Sequence, residues 1–449
     1  MKVEKFIKSK LPKNVNQVSL YPILAVNFVG TLGFSIVLPF LIFLVTRFGG
    51  NAVVYGIMGA TYSAFQLVGA PILGRWSDIY GRRKILLLSQ LGTLLSWFIF
   101  LAALYLPLDE FLKVDSALLG TFTLTLPLII LFIARALDGI TGGNVSVANA
   151  YLADVTAEDK RNENFGKMAV SANLGFIIGP ALAGLLGATQ WGETLPVLAA
   201  LLISVIATLI IILFLKDSKP SAIEKNPEGL NVRKVLGQEQ KDCFKIDCKE
   251  NHTFTDILKL KNIAYLLTIY FLVFLGFNFF YIAFPVHAVT ALTWTLSDIG
   301  IFFAYIGFTM VIVQGPVLKR LSQKYSDTIL ATIGSFILAV SFLFFTSNVL
   351  WMLYIGGALL SLGNGLMWSS ILSILSKASE EKYQGTIQGF AGSAGSLASI
   401  IGLIIGGLIY EQVGNEIFIL SAIIIFIVFF MGFKVLSIKL NFVQNNSAS

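Results

Sequence analysis

Long apolar runs alternate with short polar intervals along almost the whole chain. Twelve runs can be drawn, over 20–48, 53–73, 85–106, 126–153, 165–189 and 195–215, then 263–291, 296–318, 328–346, 350–376, 386–410 and 417–435. Each is about 20 residues or longer, enough for one helical crossing of a bilayer. Only a helix satisfies its backbone polar groups within one segment in lipid, so each run is read as a helix. The longest polar interval, 216–261, divides the runs six and six. It carries Lys219-Pro220-Ser221 and Asn226-Pro227-Glu228-Gly229, which are turn and linker chemistry. The expected organisation is an N-terminal bundle over 1–215, a central loop over 216–261, and a C-terminal bundle over 262–449 with a short tail.

The two sets of runs resemble each other. Val68-Gly69-Ala70-Pro71 before the second polar turn is answered by Gln314-Gly315-Pro316, and Ser77 and Tyr80 by Ser322 and Tyr325. Pro39 is answered by Pro285. Gly166, Leu174, Ile178, Gly179 and Gly184 are answered by Gly389, Leu397, Ile401, Gly402 and Gly407. Duplicated six-helix halves with a site between them are characteristic of transporters. The second copy of the polar turn has changed chemistry: Gln323, Ser326 and Asp327 stand where the first has Asp78, Gly81 and Arg82.

Composition agrees with a polytopic membrane protein. The chain is 56% hydrophobic and only 13% charged, about half the charge of a typical soluble domain. The first apolar run is too long for a cleaved signal peptide. The net charge of +7 would suggest an anionic partner in a soluble protein, but the cations here lie between spans. Lipid headgroups and orientation account for them, and no nucleic-acid partner is expected. Lys2, Lys5 and Lys8, then Arg75, Arg82, Arg83 and Lys84, then Lys160 and Arg161 fall on one side, against Arg47 and Lys113 on the other. That bias predicts cytoplasmic termini and a cytoplasmic central loop, in a multi-pass protein of the plasma membrane. Cys243 and Cys248 give no disulfide framework, and with His252 they make a poor metal set, so no metal or other cofactor is expected. No nucleophile–base motif marks an enzyme.

Charge inside the spans is sparse. Arg135 and Asp138 lie in the fourth run, one helical turn apart and on one face. Counting from the run's start at 1.5 Å per residue, Asp138 lies roughly 18 Å deep, near mid-membrane. A charge there implies a functional cavity or a closed ion pair that fixes the helix. As the one acid well inside a span, Asp138 is the candidate proton-titrating carboxylate, with Arg135 as its partner. Candidate substrate contacts are polar and aromatic residues of the runs expected to line a central pathway: Asn27, Gln66, Asn144, Asn173, Asn278, Tyr281, Asn364 and Trp368. A mixed amide and aromatic lining suits an amphipathic organic solute.

Three motifs carry a family resemblance. They are Gly74-Arg75-Trp76-Ser77-Asp78-Ile79-Tyr80-Gly81-Arg82-Arg83-Lys84, Arg135-Ala136-Leu137-Asp138-Gly139, and the stretch from Gly175 through Gly179-Pro180 to Gly184. In them the chain resembles the major facilitator superfamily, and the twelve-helix drug:proton antiporters of the tetracycline-efflux group in particular. The resemblance implies an all-α membrane protein, twelve transmembrane helices in two pseudo-symmetric six-helix bundles, that exports amphipathic compounds by alternating access in exchange for protons, as a monomer. It implies a gating latch of Gly74, Asp78, Gly81, Arg82, Arg83 and Asp154, with Asp78 near the start of the eleventh run. It also implies that Gly175, Gly179, Pro180 and Gly184 control leak and bending of the fifth helix. Two roles compete with these: the turn as a topogenic signal alone, and the glycines as ordinary packing. The chain departs from the antiporters in having no acid in the first run, near Thr31. Proton coupling is therefore either relocated to Asp138 or absent. A metabolite carrier, such as a sugar transporter without proton antiport, and a lipid flippase are the alternatives on the same scaffold.

Overall fold

The computed structural model describes residues 19–142, 144–156, 161–216, 262–378 and 384–437. The central loop, with Cys243, Cys248 and His252, lies outside the described residues. The helices are α1 (Tyr21–Arg47), α2 (Ala52–Tyr80), α3 (Arg82–Ala103), α4 (Leu126–Thr141), α5 (Asn144–Val155), α6 (Arg161–Gly187) and α7 (Thr194–Phe214), then α8 (Ile263–Thr290), α9 (Leu296–Ile312), α10 (Leu318–Ser322), α11 (Asp327–Phe344), α12 (Leu350–Ala378), α13 (Gln384–Val413) and α14 (Ile417–Ser437). Among the described residues nine helical stretches are long and apolar enough to cross a bilayer, or ten if bent α1 is one span. One of the nine runs continuously through α13 and α14.

Local chemistry sets the ends and breaks. α1 bends by 40° between Val37 and Pro39, where proline removes a helical N–H. Asn51 caps α2 by accepting from the Val54 N–H at 3.2 Å. Gly81 alone separates α2 from α3 at φ +100°, a backbone setting that favours glycine. Pro71 sits inside an unbroken α2, whereas its counterpart Pro316 sits in a π-helical turn, Val313–Val317, ahead of α10. Thr295 and Asp298 form a capping box at the start of α9.

Two features depart from the pattern read along the chain. The fourth apolar run is two helices, α4 and α5, with a break at Gly142. The freed carbonyls there have partners: Gln66 Nε2 donates to Gly142 O at 3.0 Å, and Ser89 donates to Thr141 O. The interval between α3 and α4 holds an antiparallel hairpin, β1 (Glu110–Ser116) and β2 (Gly120–Thr125), paired from Leu112↔Leu124 to Ser116↔Gly120, with a register shift between Glu110 and Leu112. The Thr123 N–H donates to Gly49 O at 2.8 Å and anchors the hairpin beside the α1–α2 turn. Its tip is tied to the second set of helices, for Gln412 Nε2 donates to Ala117 O at 2.8 Å and to Leu118 O at 3.0 Å. His287 near the hairpin end of α8 is 2% exposed and shares a hydrogen bond with Asn348 at 3.0 Å.

Close packing without side chains joins the two sets at the hairpin end. α2 lies on α13 and α6 on α9. A β-carbon on Gly184 would stand 2.5 Å from Gly300 Cα, and one on Gly407 would stand 2.6 Å from Ala52 O. Small residues permit such approach in lipid, where packing rather than the hydrophobic effect holds helices together.

Candidate functional site

A cavity of about 350 Å³ lies between the two sets of helices. Tyr55, Tyr62, Gln66 and Arg135 line it from one side, and Tyr270, Phe274, Asn278 and Tyr281 from the other. That volume is at the lower end of the range for small-molecule sites, and the lining is rich in aromatic rings with several hydrogen-bonding groups among them.

Arg135 and Asp138 are brought together as their spacing predicts. The Arg135 NH1 to Asp138 Oδ2 distance is 3.6 Å, and both side chains are nearly buried. The guanidinium carbon also lies 4.6 Å from the centroid of the Tyr62 ring. A cation on an aromatic face gains energy that grows as water is removed. The pair is thereby neutralised without bulk solvent, while the Nε–H of Arg135 is buried with no hydrogen-bond partner. Thr93 of α3 lines the same space as Asp138. The pair spans the last two turns of α4, just before the break at Gly142. Discontinuous helices of this kind mark binding sites in transporters. Gly139 and Gly69 let α2 and α4 cross closely here, because a β-carbon on Gly69 would run into the Ile140 carbonyl.

The remaining predicted contacts divide. Asn278 lines the cavity, donating to Phe274 O at 2.7 Å and Ser399 Oγ at 3.1 Å. Tyr281 and Gln66 line it directly. Trp368 backs it through Tyr270 and Phe274, with ring centroids 5.3 and 5.0 Å away. Asn364 is half-buried on α12, away from the cavity lining. Asn27 pins α1 to α6 by donating to Met168 O at 2.9 Å and Ser171 Oγ at 2.8 Å. The side chains of Asn144, Asn173 and Asp78, and those at the start of α13, lie outside the described residues.

At the charged turn, Arg82 Nε meets Asp154 Oδ2 at 2.9 Å, and its NH1 donates to Ser77 Oγ at 2.6 Å. Arg83 donates to the carbonyls of Ile211 and Ile212 at 3.3 and 2.6 Å. Gly74 accepts from Ser77 Oγ at 2.5 Å. The turn thus ties α2, α3, α5 and the end of α7 together. Along α6, Gly175 and Gly179 press on α1, with would-be β-carbons 2.8 Å from Leu32 N and 2.9 Å from Ile36 N. Gly184, beyond Pro180, faces α9 instead. One end of α6 is therefore fixed to its own bundle and the other to the opposite set of helices.

The family model for the Major Facilitator Superfamily matches residues 23–326 and 266–441. The chain belongs to this superfamily. Among major facilitators it is 28% identical over 402 residues to the class H tetracycline resistance protein of Pasteurella multocida, across 88% of this chain and 89% of that protein. It is 26% identical over 393 residues to multidrug resistance protein 1 of Bacillus subtilis strain 168, across 86% and 87% of the two chains. The solved structure of the human organic anion transporter MFSD10 (TETRAN) superposes with a TM-score of 0.63 at 20% identity, over 92% of this chain and 98% of that one, which establishes shared fold. This major facilitator is accordingly a multi-pass membrane transporter.

Tyr62, Phe34 and Phe176 of the lining, and Gln90 and Thr93 on α3, are not among the residues that the sequence pattern singles out. Tyr62 lies one helical turn before Gln66, which was the available signal. Gln90 was visible as an amide within an apolar run, on a helix not expected to face a cavity.

Proposed function

We propose that this transporter expels amphipathic organic compounds in exchange for protons, from a cytoplasm facing the charged turn and the termini. The observation that carries the reading is the buried Arg135–Asp138 pair beside an aromatic cavity between the halves. In the loaded direction Asp138 is ionised and paired with Arg135, and the solute occupies the aromatic cavity. After the halves exchange their contacts and the solute leaves, a proton binds the Asp138 carboxylate. Protonation breaks the ion pair and leaves Arg135 as the only charge at the site; the halves return in this form, and the proton departs on the cytoplasmic side. The relatives named for tetracycline and multidrug resistance support an organic solute. The contacts at the hairpin end, through Gly184 and Gly407, are those that must part for release on that side. The charged turn, braced within its own bundle by the Arg82–Asp154 pair, carries Asp78 as the opposing latch. A monomer contains all of these parts.

A second reading, an amphipathic anion as solute, is favoured by Arg135 Nε, a buried donor without a partner. Flux of an amphipathic fluorescent dye into protein-loaded vesicles, with and without an imposed pH gradient, tests the exchange. The reading expects the gradient to drive uphill dye movement. Equal flux in both conditions would leave a uniporter.

A further inference from the structure

The two members of the ion pair open onto different spaces. Arg135 lines the central cavity, whereas Asp138 lines a second cavity of about 280 Å³ inside the first bundle. That chamber runs between α1, α3, α4, α6 and α7. Phe34, Tyr62, Gln66 and Phe176 line both spaces and form the partition. The partition is largely aromatic: Phe34 lies 4.9 Å from Tyr62 and 6.0 Å from Phe176, centroid to centroid.

Several polar side chains share the chamber with Asp138. Thr93 and Gln90 line the chamber from α3, Ser204 from α7, and Asn27 and Thr31 from α1. Gln90 is 2% exposed and donates Nε2 to Ser204 Oγ at 2.8 Å, while its Oε1 is buried without a partner. A buried amide oxygen without a donor is costly, and a site with several polar groups and this much room holds water. Its titratable groups are Asp138 on α4 and Tyr62 on α2; the lining from α1, α3, α6 and α7 is uncharged.

We propose that this chamber is a hydrated proton site separate from the solute site. Water accepted by Gln90 Oε1 and Asp138 delivers the proton to the carboxylate, and the same water carries it away. The proton never enters the central cavity. Solute and proton then act on opposite ends of one ion pair: the solute meets Arg135, and the proton neutralises Asp138. This inference rests on the proton-exchange reading and specifies its route.

Infrared difference spectroscopy of the purified full-length protein between acid and alkaline buffer tests it without a transported solute. A protonated-carboxyl band that titrates and disappears in Asp138→Asn is expected. Exchange of that proton for deuterium should slow in Ala172→Leu, which fills the chamber, and the band should shift in Gln90→Leu. Both should stay unchanged in Ser396→Leu, which fills the central cavity. Melting temperatures confirm folding, and either chamber variant suffices if the other fails to fold. Absence of any titrating Asp138 band would overturn the exchange reading itself. A band that responds to Ser396→Leu and not to the chamber variants would overturn the separate site alone.

Discussion

Arg135 is held by three features that a lysine could not reproduce together. It is paired with Asp138, stacked on Tyr62, and keeps a planar fork with one donor to spare. Arg135→Lys preserves charge but loses the stack and the fork, so solute affinity should fall by about tenfold. Ligand-dependent melting of the purified variant measures this, and an unchanged shift would remove Arg135 from the solute site. The pair was legible in the sequence because two charges interrupt an otherwise apolar run. The chamber was not. Gln90, Thr93 and Ser204 are individually ordinary, and only the fold brings them to the chamber that Asp138 lines. Asn27 shows the converse, since an amide that reads as a solute contact bonds α1 to α6.

Close helix approach, rather than side-chain interlock, governs the elements that must move. Gly184 meets Gly300 with no room for a β-carbon. Gly184→Leu should overpack that crossing, at a cost of about 1–3 kcal/mol to the form closed at the hairpin end. Cysteines placed across α6 and α9 should cross-link less readily in the variant, and undiminished cross-linking would show that this crossing does not control closure. At the other end, the Arg82–Asp154 pair is partly exposed, so its contribution to overall stability is small. Asp154→Asn should slow turnover more than it weakens solute binding. Equal losses in both would leave the turn a topogenic signal.

Most of the spans were legible from hydropathy, nine or ten being present among the described residues, but two elements were not. The α4–α5 break depends on Gln66 and Ser89, from other helices, accepting the role of partner for carbonyls at Thr141 and Gly142. Hydropathy averages over such a break. The β-hairpin depends on the Gly49 and Gln412 contacts, which join residues far apart in sequence.

At the scale of the whole molecule, the hairpin end is closed by backbone contacts of α2 with α13 and α6 with α9, and the central cavity lies beneath them. The membrane class and the internal duplication were legible because lipid demands long apolar helices and alternating access favours paired halves. The direction of opening was not, because it depends on which of two sets of contacts is formed. A hairpin tip bonded to Gln412 adds to closure on its own side. Gln412→Ala should therefore raise labelling of a cysteine placed in the central cavity by a membrane-impermeant reagent added on the hairpin side. Unaltered labelling would mean that the helix crossings alone close that end.

The central claim is that one carboxylate converts a proton gradient into movement of an organic solute. Asp138→Asn in reconstituted vesicles separates the two halves of that claim. Uphill dye movement driven by a pH gradient should be lost, while gradient-independent exchange of dye for dye persists; the melting temperature should fall, because Arg135 is left buried without its counter-charge at a cost of about 3–5 kcal/mol, and the comparison is made below it. Undiminished gradient-driven accumulation in the folded variant would contradict it.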